Sequence, residues 1–153
     1  MTAKEYLMQV KVIKRRIEVI NGKVQELRSA LEYCPPNMEG GSSGSSDDRM
    51  SKNISKIIEY ERQSYDTVNT LIERRLEIED TINAITDPLQ REILERRYLL
   101  NEPWEGRFDK ITGKYTPGIP ETMNYSPSWI FQQHGIALQK IQKSIVKCSE
   151  IEF

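Results

Sequence analysis

The chain has 153 residues and a net charge of -1, with 29% charged and 8% aromatic side chains, a balance that fits one ordinary helical domain or two small ones. No apolar run approaches the roughly 20 residues needed to span a bilayer, and the Met1-Thr2-Ala3-Lys4-Glu5 start has no apolar signal core, so no membrane role is expected. Cys34 and Cys148 lie far apart without metal-ligand spacing and read as reduced thiols.

Tyr6, Val10, Ile13, Ile17, Ile20, Val24, Leu27 and Leu31 recur in alternating steps of four and three, a heptad seam that predicts one helix over about residues 3 to 32. Thr2 followed by Glu5 has the spacing of a capping box. Asn21-Gly22 does not change the phase of the seam, so the helix runs through it, with Gly22 costing roughly 1 kcal/mol of propensity. Pro35 and Pro36 then remove amide donors and end the helix. The Gly40-to-Ser46 tract cannot bury apolar surface, which predicts a flexible linker over 34–48.

A second helix is expected from about Arg49 to Ile85, with Ile54, Ile58, Tyr65, Val68, Ile72, Leu76, Ile78, Ile82 and Ile85 drifting around its apolar face. Residues 1–34 carry seven basic and four acidic side chains, and residues 47–85 carry six and nine. Charges of +3 and -3 favour folding the two helices back on each other as a long antiparallel hairpin over 1–85. The seam serves as core in that arrangement, or in part as the surface of a homodimer through the N-terminal helices.

Asp87-Pro88-Leu89-Gln90 is a helix start: Asp as N-cap, Pro at the first helical position, and Gln able to reach back. Leu89, Ile93, Leu94, Tyr98 and Leu100 supply its buried face, while Arg91, Arg96 and Arg97 read as a face paired with Glu92 and Glu95 or as phosphate contacts. Between Gly106 and Pro117 lies an insertion. Its segment Phe108 to Tyr115 reads as a short β-hairpin, with Gly113 suited to a turn of positive φ and Phe108 near Tyr115. Arg107, Lys110 and Lys114 make this insertion a candidate wing towards DNA; a mobile loop and a protein contact are the other readings. A short helix over about Pro120 to Asn124 follows.

Ser126-Pro127 repeats the capping logic and opens the last helix, whose packing stripe is Ile130, Ala137, Leu138, Ile141 and Ile145. Its other face carries Ser128, Gln132, Gln139 and Lys143, with Trp129 at the margin. Ser and Gln bond to base edges, Gln best to adenine. From Ser126 to Lys147 the only formal charges are Lys140, Lys143 and Lys147, so no carboxylate in this helix repels phosphate. His134, the only histidine, has no second ligand or acid at a useful spacing and is expected to pack. No nucleophile sits with a base, no acidic pair beside a phosphate loop and no Cys/His cluster, so neither enzymatic activity nor a cofactor is expected.

Asp87 to Trp104 and Ile119 to Ile141 resemble region four of bacterial sigma factors, as carried by phage-encoded sigma-like regulators of the ArpU and RinA kind. The likeness rests on Arg91-Glu92-Ile93-Leu94 leading into the first helix, Trp104-Glu105 where the second should open, and Ser126 capping the recognition helix. The long upstream helices resemble the N-terminal half of such proteins. The resemblance implies an all-α fold: a helical hairpin followed by a helix-turn-helix domain over 86–148, here with the insertion at 106–117. It implies a sequence-specific transcription regulator in the cytoplasm of a bacterial host, reading the major groove of double-stranded DNA, with RNA polymerase as a second candidate partner. Ser126 would then bond a phosphate and Gln132 would match a glutamine that touches DNA. Pro127, Ser128 and Trp129 replace the Arg, Glu and Arg of the family pattern, which argues against an ordinary promoter element. Two other classes remain: a DNA-packaging component like a small terminase subunit, and a protein-binding adaptor that has kept the helix-turn-helix shape without using DNA.

Overall fold

The computed structural model describes residues 1–32 and 45–151. Among these, the fold is all-α with one small inserted β-hairpin. The order is α1 (Ala3–Glu32), α2 (Ser45–Asn83), α3 (Pro88–Leu94), β1 (Arg107–Phe108), β2 (Tyr115–Thr116), α4 (Ile119–Met123) and α5 (Pro127–Ile151), with a π-helical turn, Glu95–Leu99, extending α3. The linker expected over 34–48 falls largely outside the described residues. Its last residues, 45–48, belong instead to the first turn of α2. No described helix is long and apolar enough to cross a membrane.

Two compact units divide the chain: Ile13–Glu73, and Met1–Val12 together with Arg74–Phe153. In the first of these, α1 supplies Ile13, which is buried, and Ile17, Ile20, Val24, Leu27 and Leu31, which are half-buried. The packed face of α2 differs from the predicted one. Ile54, Ile58, Tyr65 and Ile72 are exposed, and the covered row is Ile57, Glu61, Ser64, Val68 and Leu71. That row keeps unbroken steps of four and three, which is what a helix packed along a seam requires. Glu61 occupies a seam position because its carboxylate pairs with Arg28 of α1, leaving its stem to cover apolar surface.

In the other unit the same phase continues through Ile78, Ile82 and Ile85, all buried, while Leu76 is exposed. The beginning of α1 runs antiparallel to α2: the Tyr6 hydroxyl lies 3.1 Å from that of Thr81, and Arg74 Nε donates to Gln9 Oε1 at 3.2 Å. The capping box forms as expected, with Thr2 N donating to Glu5 Oε2 at 2.7 Å and Glu5 N to Thr2 Oγ1 at 3.2 Å. The start of the chain is also tied to α5, since Ala3 N donates to Gln142 Oε1 at 2.7 Å.

The core of this unit beyond the long helices centres on Ile93 of α3, Ile119 of α4 and Ile130 of α5, with Trp104, Met123 and Trp129 packed against it. Asp87 caps α3 by accepting from Leu89 N and Gln90 N at 2.9 and 3.3 Å. Tyr98 is buried as expected, but Leu100 is exposed, because the π turn adds a residue and moves Leu100 out of phase with the packed face. The turn closes with Leu100 N donating to Glu95 O, and Asn101 then takes a positive φ of 57°.

The insertion leaves and rejoins this core at one place. Ile119 N donates to Pro103 O at 3.0 Å, and a Cβ on Gly118 would lie 2.4 Å from the Trp104 carbonyl oxygen. Only glycine permits that approach, so the 13 residues from Glu105 to Pro117 form a loop with a closed base. Inside it, Arg107 pairs with Thr116 and Phe108 with Tyr115, the register the sequence suggests. Gly113 has a φ of 69°, and Asp109 Oδ1 accepts from Ile111 N at 2.8 Å, which holds the turn.

Gly118→Ala is expected to lower the stability of this fold by about 1–3 kcal/mol, because the methyl displaces backbone. Gly22→Ala meets no atom within 4 Å in mid-helix and is expected to stabilise by about 0.5–1 kcal/mol. Urea unfolding of both variants checks the pair, and equal destabilisation would contradict the argument.

Candidate nucleic-acid interface

Helices α4 and α5 are joined by residues 124–126, a turn set by Asn124 in the left-handed region at φ 59°. Its N–H and that of Tyr125 donate to the carbonyls of Glu121 and Pro120, at 3.3 and 3.1 Å, closing the end of α4. Ser126 Oγ then accepts from Trp129 N at 3.4 Å, so the serine caps α5. Three short helical pieces, a tight turn and a long capped helix therefore surround one isoleucine cluster.

On α5, Ile130, Ala137 and Ile141 are fully buried. The row Ser128, Gln132, Gly135, Gln139 and Lys143 is exposed. These positions recur at three or four residues and so share one face, which extends about 22 Å from Ser128 to Lys143. Ser128 and Gln132 occupy the first turns, next to the exposed Ser126, where the positive end of the helix dipole lies.

Two other residues expected at the interface belong to the packed side. Trp129 is half-buried, stacks on Tyr125 with ring centroids 4.3 Å apart, and packs against the isoleucine cluster. Lys140 is half-buried too, and its Nζ donates to Gln90 Oε1 at 2.7 Å. Gln90, 4% exposed, in turn donates from Nε2 to Gln133 Oε1 at 2.9 Å. Gln90 thus links α3 to α5 and does not reach back to cap α3. The sequence contained a signal for this: Gln90 lies three and four residues before the buried Ile93 and Leu94, so it shares their face.

The three arginines around α3 are engaged within the fold. Arg91 Nε donates to Ile85 O at 3.1 Å. Arg96 meets Glu92 at 2.8 Å and Glu102 at 3.2 Å. Arg97 donates to Glu102 O at 3.0 Å and lies 5.1 Å over the Trp104 ring. Arg107, Lys110 and Lys114 of the insertion are all exposed, and Tyr115 ties the hairpin to α4 through a 2.8 Å hydrogen bond to Glu121 Oε2. Asp109, the acid among these cations, accepts from Ile111 N and Thr112, which lowers its pKa from the ordinary value.

His134 is a packing residue. Its Nε2 lies 3.0 Å from the Tyr98 hydroxyl, and Trp104 meets its ring edge-on with centroids 4.8 Å apart. Burial, followed by the charges of Arg97 and Lys4, pushes its pKa down to about 4. Among the described residues no group of three His, Cys, Asp or Glu comes together as metal ligands.

No family model matches this chain, nor does any curated protein or solved structure.

His134 is neutral in the fold but takes up a proton at its ordinary value once unfolded. Stability is therefore full above about pH 6.5, falls as pH drops to about 4, and levels off below that. Partial solvent access limits the loss to about 1–2 kcal/mol. His134→Phe should flatten that part of a stability-against-pH curve measured by denaturant unfolding, and an unchanged slope would refute the assignment.

Proposed function

We propose that this protein binds double-stranded DNA sequence-specifically through α5 and acts as a transcription regulator of the phage sigma-like kind, in the cytoplasm of a bacterial host and without enzymatic activity. The observation that carries the reading is the exposed row Ser128, Gln132, Gln139 and Lys143 on the outer face of the capped helix that follows the turn. Side-chain amides and hydroxyls are base readers, and a helix of this diameter fits the major groove. The absence of any carboxylate between Ser126 and Lys147 leaves that helix electrostatically open to phosphate. Base reading falls to Ser128 and Gln132 and phosphate contact to Ser126 and Lys143, with Arg107, Lys110 and Lys114 as further cations on the hairpin. Trp129 and Lys140 serve the packing that holds α5 in place. Contact with RNA polymerase belongs to the same proposal.

Selection from random duplexes should enrich one motif, with affinity falling steeply as salt rises. Ser128→Ala/Gln132→Ala should lose the motif preference while the helical content stays unchanged. Lys143→Ala should reduce the salt slope by about one without altering thermal stability, whereas Lys140→Ala should leave the slope alone and lower stability by about 1–3 kcal/mol. No enrichment together with no salt-dependent binding would overturn the proposal.

A further inference from the structure

The exposed apolar side chains of α2 are not scattered. In the unit Ile13–Glu73, Ile58 and Ile72 are 60% and 41% exposed and Tyr65 is 67% exposed. They lie seven residues apart, so two helical turns separate each from the next and all three form one stripe. The stripe adjoins the row that already packs in the hairpin, since Glu61 and Val68 each lie three or four residues from two of its members. A helix with apolar side chains at seam positions and again at the adjacent heptad position has the pattern of a helix that packs on two neighbours.

The order of residues along the stripe identifies the second neighbour. Ile58 and Ile72 stand at equal distances on either side of Tyr65. A stripe that reads the same from both ends is self-complementary under a two-fold axis through its middle, the condition for contact between identical surfaces. An unrelated partner imposes no such symmetry.

We propose that α2 pairs antiparallel with α2 of a second copy of this chain, about a two-fold axis at Tyr65, so that Ile58 of each copy packs on Ile72 of the other. The two tyrosine rings meet at the axis, where offset stacking places them against each other. The slow drift of a seven-residue repeat around a straight helix gives the pair a left-handed cross of about 20°. Glu59, Asp66 and Glu73, each following a stripe residue, form an exposed acidic rim, and Arg62 beside Glu59 supplies a cation on the same side. Three apolar side chains from each copy are far fewer than the roughly 20–30 residues a side of a standard interface, so the dimer is expected to dissociate on dilution. The pairing stands independently of DNA binding.

Sedimentation velocity of the full chain over about a hundred-fold range of concentration tests this. The mass should rise towards twice 17.8 kDa. Ile58→Glu/Ile72→Glu should remain at the monomer mass with unchanged circular dichroism, as both side chains are exposed. The axis is tested by disulfide trapping in a background of Cys34→Ser/Cys148→Ser. Tyr65→Cys should cross-link to itself. Ile58→Cys and Ile72→Cys should each fail alone and cross-link when the two proteins are mixed. A wild-type monomer at every concentration, a dimer that survives the double glutamate variant, or self-linking of Ile58→Cys would each overturn the proposal.

Discussion

The unit that holds α3, α4 and α5 depends on one close approach of backbone to backbone. At Gly118 the chain returns against the Trp104 carbonyl, and the next N–H bonds to Pro103. That return places Ile119, fully buried, between Ile93 and Ile130 at the start of α4. A side chain at 118 would push the strand leaving the insertion outward, and Ile119 with it. The insertion is tolerated for the same reason. Because its ends meet, the core experiences the whole insertion as a single closed loop, and loop entropy grows only slowly with length.

Once α4 is placed, polar contacts fix the register of α3 against α5. Gln90 bridges Gln133 and Lys140, and Tyr98 bonds His134. An isoleucine core tolerates sliding by a fraction of a turn at little cost. A buried amide or hydroxyl that loses its partner costs about 1–3 kcal/mol, so these contacts penalise the alternatives. His134 gives up its charge because it is buried, and it packs as a neutral ring stacked on Tyr98 and edge-on to Trp104.

Local chemistry was the part of this fold that could be read from residues alone. The limits of α1, the caps at Thr2, Asp87 and Ser126, the turn at Gly113 and the pairing of Phe108 with Tyr115 all follow from side chains acting on their own neighbours. The packed face of α2 did not follow. Its seam contains Glu61 and Ser64, which hydropathy assigns to water, while Ile58, Tyr65 and Ile72 satisfy hydropathy and remain exposed. Only the partner helix decides the matter: Arg28 makes Glu61 acceptable at the seam, and that pairing crosses 33 residues of sequence. The π turn is likewise not legible in the sequence, since Glu95 to Leu99 have ordinary helical composition; Arg96 and Arg97 within it bond to Glu102.

The same distinction sorts the candidate interface. Lys140 and Lys143 are one turn apart and identical in type, yet Lys140 bonds a buried amide of α3 while Lys143 faces solvent. Trp129 follows Ser128 directly and is held by Tyr125, while Ser128 has the outer face. A side chain committed to packing cannot also adjust to a base edge without loosening the helix that presents it. On the proposed reading, the first two turns of α5 therefore discriminate bases with two uncharged polar groups, Ser128 and Gln132, in place of long charged ones. Such a surface makes few contacts per base pair, and each bidentate contact contributes about 1–3 kcal/mol of discrimination. A single copy then has limited selectivity, and high selectivity requires a second reading surface, on the inserted hairpin or on another copy of the chain.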